Sequence, residues 1–99
     1  MENTNSSELL EYLCQGFLTL QTPNECKQFL KDLCTVAELQ EMSRRLEAAK
    51  MLKSGYIYTE IAAQTGLSTA TISRVNHCLK YGSDGYLRVL ERLDRKAHH

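Results

Sequence analysis

Apolar residues recur at intervals of three and four along most of the chain, the spacing that brings them to one face of an α-helix. Short polar residues or Pro stand where helices are predicted to begin, and Gly stands where several are predicted to end. These signals delimit six segments, and none of them has the alternating pattern of a strand. The sequence therefore predicts an all-α fold of about six helices.

The first predicted helix begins near Ser6 or Ser7 and is apolar on more than one face. Its apolar residues are Leu9, Leu10, Leu13, Cys14, Phe17, Leu18 and Leu20. A surface helix of a small monomer would show a narrower stripe, so we expect a second subunit to cover one face. A central helix of a monomeric bundle is the alternative. Residues 1–5 are polar and are expected to be mobile.

Two capping boxes introduce the next two helices. Thr22, Pro23 and Glu25 supply an N-cap, a first helical residue and a closing carboxylate, and Thr35 with Glu38 repeats the pattern. The apolar stripes are Cys26, Phe29, Leu30, Leu33 and Cys34 in the second helix, and Leu39, Met42, Leu46, Ala49 and Leu52 in the third. Ser54 and Gly55 end the third helix, and on its other face lie Arg44, Glu47 and Lys50 at ion-pair spacing.

Residues 58–77 have the chemistry of a helix-turn-helix. Ile61, Ala62 and Thr65 share a face of the first short helix, and small Ala62 allows a close crossing by the second. Gly66 follows at a position that needs a left-handed backbone, which Gly adopts without penalty. Leu67 is expected to fill the angle between the two helices.

The second short helix is predicted to bury Ile72 and Val75 and to begin at Ser68, whose hydroxyl can cap it. The side chains left outside are Thr69, Ala70, Thr71, Ser73, Arg74 and His77, a face with one Arg and no acid, and together with Ser68 they are the candidate DNA-binding residues of the reading helix. Such a face suits the major groove of DNA, where Arg can bond to guanine and Ala can touch a thymine methyl. An ordinary helical hairpin with a polar outer face is the alternative.

The last predicted helix follows residues 81–84, with Ser83 as the candidate N-cap. Its apolar stripe is Tyr86, Leu87, Leu90 and Leu93. At 99 residues the chain has the length of one domain, so residues 1–99 are expected to form a single domain. Alone, such a domain buries about two thirds of its unfolded surface, and a partner subunit would add to that burial.

The net charge is zero, but the charges are distributed unevenly. Residues 1–42 carry two basic and seven acidic side chains, whereas residues 43–80 carry six basic and two acidic ones, and residues 81–96 carry four basic and three acidic ones. The predicted helix-turn-helix thus lies in the basic third. Because phosphate binding needs only a local basic surface, a neutral total is compatible with a DNA partner.

The remaining composition points to a cytoplasmic protein without a cofactor or metal. The chain has no run of 18 apolar residues and no signal-peptide pattern. Its four cysteines, Cys14, Cys26, Cys34 and Cys78, form no C-x-x-C pair, and we expect buried, reduced thiols. The adjacent His77 and Cys78 point about 100° apart on a helix and would not chelate one ion well. Whether the terminal His98 and His99 are native is open.

Residues 33–80 resemble the tryptophan repressor family. The strings EMSRRLEAAKML at residues 41–52 and TATISR at residues 69–74 look like its YerC/YecD-type branch of repressor-like proteins. The specific matches cover about half of the chain, and the flanking helices fit by length and pattern. The resemblance implies an all-helical, intertwined homodimer that binds operator DNA, with residues 6–34 in dimerisation.

Two further groups of residues have expected roles. Flanking the reading helix, the candidates for phosphate contacts are Lys50, Lys53, Tyr56, Tyr58, Thr59 and Lys80.

The resemblance also implies an effector pocket, since the repressor holds tryptophan between two arginines that correspond to Arg44 and Arg74. Where the repressor has Gly and Thr, this chain has Val75 and Cys34, so we expect no appreciable tryptophan binding. Val75 either fixes the reading helices without a ligand or leaves room for an unidentified small-molecule effector.

A homodimeric, sequence-specific transcription regulator, most simply a repressor of a near-palindromic operator, is the function that the sequence favours. A DNA-binding module of replication or transposition, or a structural or protein-binding helical dimer, would be the alternative. An enzyme is disfavoured because the sequence shows no catalytic Ser/His/Asp or Cys/His grouping and no phosphate loop.

Overall fold

The computed structural model describes residues 5–97 and contains six α-helices and no strand within that range. In chain order they are α1 (Ser6–Leu18), α2 (Pro23–Leu33), α3 (Val36–Lys53), α4 (Tyr58–Thr65), α5 (Thr69–Tyr81) and α6 (Gly85–Ala97). The predicted all-α fold is confirmed. The predictions made for residues 1–4 and for His98 and His99 lie outside the described residues.

Thr22 and Thr35 cap α2 and α3 as the sequence predicts, but only the second of the two predicted capping boxes is complete. The Thr22 hydroxyl accepts a hydrogen bond from the Glu25 N–H at 3.1 Å, but the Glu25 carboxylate accepts from the Gln21 N–H at 2.8 Å and not from Thr22. Thr35 and Glu38 form the complete reciprocal box, at 3.1 and 2.8 Å. These hydrogen bonds to Thr35 hold the pKa of Glu38 below its ordinary value of 4.5.

Two compact units divide the chain, Met1–Leu39 and Gln40–His99, and the division falls within α3. A single domain spanning residues 1–99 therefore stays a prediction. In the first unit, Phe17 of α1 meets Phe29 of α2 edge to face with ring centroids 5.1 Å apart. No residue of α1 or α2 is fully buried in the single chain.

The second unit contains the buried apolar residues of the described chain, in two clusters that share α3. One consists of Ala48, Ile61, Leu67 and Ile72, and joins α3 to α4 and α5. The other consists of Ala49, Val75 and Leu90, and joins α3 to α5 and α6. The adjacent alanines Ala48 and Ala49 are completely inaccessible to solvent. Because their side chains are small, the other residues of both clusters can pack close to the α3 backbone.

Three local predictions are wrong. Helix α6 begins at Gly85, so the residue at its N-cap position is Asp84, with φ of 64°, and not Ser83. No ion pair joins Arg44, Glu47 and Lys50 in this described part of the chain, and the α3 pair is Glu41 with Arg45 at 3.5 Å. The predicted burial of the thiols also fails in the single chain: Cys14 and Cys78 are exposed, and Cys26 and Cys34 are half-buried.

Candidate nucleic-acid interface

The turn between α4 and α5 is built from backbone conformation and one buried hydroxyl. Gly66 has φ of 76° and ψ of 5°, as predicted, and its N–H bonds to the Ala62 carbonyl at 2.9 Å. The Thr65 hydroxyl donates to the Ile61 carbonyl at 2.8 Å and accepts from the Leu67 N–H at 3.2 Å. Thr65 is 8% exposed, and its hydroxyl gives the Leu67 N–H of the turn an acceptor.

Packing then fixes the direction of α5. Ile61 of α4 and Ile72 of α5 are fully buried together with Leu67 from the turn. Ala62 packs against this cluster as a partly buried residue, as its small size predicts. Since the same cluster includes Ala48 of α3, the position of α5 is set by two helices and not by the turn alone.

The outer face of α5 is accessible along the helix. Thr69, Ala70, Ser73, Arg74 and His77 are exposed. Ser68 caps the helix, with its Oγ accepting from the Thr71 N–H at 3.2 Å, and the Ser68 and Thr71 hydroxyls are 3.1 Å apart. Thr71 is half-buried, so its hydroxyl and that of Ser68 are engaged in the cap. The free hydroxyls of this face therefore belong to Thr69 and Ser73.

Sequence reasoning missed one aromatic residue on this face. The Tyr81 ring lies against the His77 ring, with centroids 5.1 Å apart, and Tyr81 is 76% exposed. The two residues are four positions apart, the spacing at which helical side chains meet. The spacing of His77 and Tyr81 is visible in the sequence, but the sequence pattern places Tyr81 only in the segment that precedes the last predicted helix.

Most of the phosphate candidates are exposed as well. Lys50, Lys53, Tyr56, Thr59 and Lys80 all have accessible side chains. Tyr58 differs from them because it is half-buried and packs against the cluster of Ile61 and Ile72. Glu60, in the first turn of α4, accepts from the Ile57 N–H at 3.0 Å, so this acid has a local role at the start of the helix.

The residues assigned to an effector pocket have different environments. Arg44 and Arg74 are exposed, whereas Val75 is only 3% exposed and packs with Ala49 and Leu90. Cys34 belongs to the first unit, where its N–H bonds to the Leu30 carbonyl at the end of α2. The Val75 side chain is thus part of the core.

Two of the cavities in the described part of the chain lie in the second unit. The larger, about 740 Å³, is lined by Glu47, Lys50, Met51, Ser54, Gly55, Tyr56, Glu60 and Gln64. The smaller, about 490 Å³, is the α3–α6 cavity and is lined by Lys50, Lys53, Ser54, Leu90, Leu93, Asp94 and Ala97. Neither of these two linings includes Arg44, Arg74, Cys34 or Val75. Three or more His, Cys, Asp or Glu side chains are nowhere grouped for metal binding among residues 5–97.

Burial also affects one titratable side chain near α5. The half-buried position of Tyr86 raises its pKa above the ordinary value of 10.0, because desolvation disfavours the phenolate. The charge of Arg45 opposes this effect, and Cys78 adds to it. Tyr86 therefore remains a neutral phenol that packs beside the cluster of Val75 and Leu90.

The described residues form a small all-α fold in which α5 follows the turn at Gly66 and carries no acidic residue. An exposed helix of this kind is typical of a helical regulator. Comparison with known sequences then identifies the chain: it belongs to the Trp repressor protein family, whose sequence profile matches residues 8–94. This confirms the resemblance found in residues 33–80 and extends it to the flanking helices. The family is one of regulators, and within residues 5–97 no helix is long and apolar enough to cross a membrane.

Individual relatives agree with that assignment. The chain is 48% identical to the uncharacterized protein YerC of Bacillus subtilis strain 168 over 84 residues, which are 85% of this chain and 81% of YerC. A Staphylococcus aureus protein provisionally described as a Trp repressor is similar in structure, with a TM-score of 0.83 and 49% identity over 87% of this chain and 86% of that one. A TrpR-like protein of Eubacterium eligens ATCC 27750 gives a TM-score of 0.85 and 48% identity, over 90% and 92% of the two chains.

Proposed function

We propose that the protein is a sequence-specific DNA-binding transcription regulator that acts as a homodimer and represses. The observation that carries this proposal is the outer face of α5. Thr69, Ala70, Ser73, Arg74 and His77 are exposed on it, it carries no acid, and α5 packs against α4 through the fully buried Ile61 and Ile72. A helix with such a face can enter the major groove and present side chains to base edges.

A second copy of the chain is the partner that the N-terminal helices require. Leu9, Leu10, Tyr12 and Leu18 of α1 are between 57% and 85% exposed in the single chain. An isolated 13-residue helix is marginal in water, so its stability must come from covering this apolar surface. Family membership supports a homodimer as the cover, with residues 6–34 forming the dimerisation segment.

A two-fold dimer places two copies of α5 on one face of the duplex. In helix-turn-helix dimers these copies lie about 34 Å apart, one turn of DNA, so the preferred site is a near-palindrome. Arg74, Thr69, Ala70 and Ser73 would read base edges, with His77 at the end of the same face. Lys50, Lys53 and Lys80, with Tyr56, Tyr58 and Thr59, would contact phosphates and fix the register.

Tryptophan is not the effector under this proposal. Arg44 and Arg74, which correspond to the repressor's two ligand-binding arginines, are both present. Val75, however, stands where the repressor has Gly, and it is buried against Ala49 and Leu90. We therefore expect calorimetric titration with L-tryptophan to give no binding heat, and micromolar affinity would contradict this expectation.

Fluorescence anisotropy with labelled DNA tests the phosphate and base roles separately. Each phosphate contact contributes about 0.9 to the slope of log affinity against log salt. In a dimer, Lys53→Ala removes two such contacts, so the slope should fall by roughly 2 and binding should weaken on all sequences. Arg74→Ala should instead reduce the preference for the best site over random DNA. Lys96→Ala, an exposed Lys of α6 without a proposed contact and outside residues 6–34, is the matched control.

A structural or protein-binding helical dimer is the alternative function, and the exposed apolar residues of α1 fit it equally well. The same titration distinguishes the two. A protein that sediments as a dimer but binds neither selected nor random DNA at low salt would favour the alternative. Unchanged affinity and salt slope in Lys53→Ala would remove Lys53 from the proposed interface. A DNA-binding module of replication or transposition would bind DNA in this assay, and the sequence gives no accompanying ATPase or nuclease segment for it.

A further inference from the structure

The α3–α6 cavity combines an apolar wall with a cationic rim. Leu90 and Leu93 of α6 and Ala97 at its end supply the apolar side, and Lys50 and Lys53 of α3 supply two cations. Leu93 is 49% exposed in the single chain. With Asp94 also in the lining, the charged side chains of the cavity carry a net charge of +1.

Size and chemistry together specify a class of ligand. A volume of about 490 Å³ lies within the range of roughly 300–1,000 Å³ typical of small-molecule sites. An apolar tail would cover Leu90 and Leu93, and an acidic head would lie near the two lysines. A long cation would meet the same rim unfavourably, and a compact polar ion would leave the apolar wall uncovered.

We propose that the α3–α6 cavity binds a small amphiphilic carboxylate, an apolar chain with one acidic head, through Leu90 and Leu93 and through Lys50 and Lys53. This site is separate from the pocket implied by Arg44 and Arg74, whose residues do not line the cavity. The ligand is a free small molecule and not a membrane lipid.

Occupation of the cavity would also affect DNA binding, and this part of the inference rests on the proposed function. Lys50 and Lys53 are proposed phosphate contacts, and an acidic head beside them neutralises the charge that DNA would use. Ligand and DNA then weaken each other by the same factor, because coupling between two binding equilibria is reciprocal.

Calorimetry on the full-length protein without DNA tests the site itself, with decanoate as the probe. We expect one decanoate per chain and at least tenfold weaker binding of decylamine, which has the same chain and a cationic head. Lys53→Gln should weaken decanoate binding roughly two- to fivefold, the effect of losing an exposed charge pair. Leu93→Ser should weaken it severalfold because it removes apolar contact area.

Matched variants separate the cavity from the rest of the surface. Val89 is on the same helix and 46% exposed but is not in the lining, so Val89→Ser should leave decanoate binding unchanged, as should Arg88→Gln, which changes an exposed cation outside the lining. Equal binding of decanoate and decylamine, or equal effects of Leu93→Ser and Val89→Ser, would overturn the proposal. So would binding only to anionic phosphatidylglycerol vesicles, or a decanoate-dependent change in molecular mass, which would show that a second copy covers the groove.

The DNA-binding assay, repeated with decanoate, tests the coupling between decanoate binding and DNA binding. Saturating decanoate should lower the affinity of the wild-type protein for DNA and reduce the salt slope. If decanoate binds as described and DNA affinity is unchanged, the coupling is wrong. If the protein binds no DNA at all, the proposed function fails, whereas the calorimetric result still decides the site.

Discussion

Replacement of Gly66 by Ala perturbs the turn that aims α5. Gly66 has φ of 76°, and a Cβ built there would have no heavy atom within 4 Å beyond its chain neighbours. The effect is therefore one of backbone conformation without a clash. A non-Gly residue in the left-handed region costs about 1–2 kcal/mol. The lower unfolded-state entropy of Ala offsets about 0.4–1 kcal/mol, so we expect a net loss of about 1 kcal/mol.

Two further variants make this prediction specific. Gly85 is the first residue of α6, also has no neighbour within 4 Å and lacks a positive φ, so Gly85→Ala should be neutral or stabilising by up to about 1 kcal/mol. Gly66→Asn should be milder than Gly66→Ala, because Asn tolerates the left-handed region. Urea unfolding followed by circular dichroism measures all three variants, at one protein concentration because the proposed subunit association would add to stability. Equal stability of Gly66→Ala and Gly85→Ala would refute the reasoning.

Other variants test caps, core and titration. Ser68→Ala removes the α5 N-cap and should lower the free energy of unfolding by about 1 kcal/mol, whereas Ser83→Ala, which removes no cap, should change it by less than about 0.5 kcal/mol. Ile72→Val should cost about 0.5–1.5 kcal/mol, and the same change at Ile57, 62% exposed, should be nearly neutral. The lowered pKa of Glu38 means that its ionised form stabilises the fold above about pH 4.5 and that this contribution is lost as pH falls through the lowered pKa. Urea titrations should therefore show that the free energy of unfolding falls less between pH 7 and pH 3 in Glu38→Gln than in the wild type. Equal decreases would contradict the lowered pKa of Glu38.

Local structure could be predicted from the sequence wherever one residue type strongly favours a particular backbone conformation or capping hydrogen bond. Gly66, Thr35 with Glu38, and Ser68 have the conformations and hydrogen bonds that their types predict. The buried Ile72 and Val75 also followed from spacing, because α5 has one apolar face.

Features that depend on tertiary context could not be predicted in the same way. Ala48 is fully buried but was absent from the predicted α3 stripe, since a small side chain gives a weak periodic signal. Asp84 adopts a left-handed backbone that moves the start of α6 past Ser83, which no local pattern indicates. Thr71 looked outward by helical position, but its contact with Ser68 engages it in the cap.

The candidate DNA interface was predictable in outline because exposure follows from helical phase. The arrangement of two copies was not predictable in the same way, and the single chain leaves no residue of α1 or α2 buried. Met42 shows the same limit: it belongs to the apolar stripe by spacing and is 42% exposed in the single chain.

Selection of bound sequences from a random DNA pool tests the central claim most directly, namely that two copies of α5 read one duplex. The account predicts enrichment of an inverted repeat whose half-sites are centred about 10 base pairs apart, and loss of the preferred bases at fixed positions with Arg74→Ala. Recovery of no common sequence, or of a single unrepeated half-site by a protein that sediments as one subunit, would contradict it.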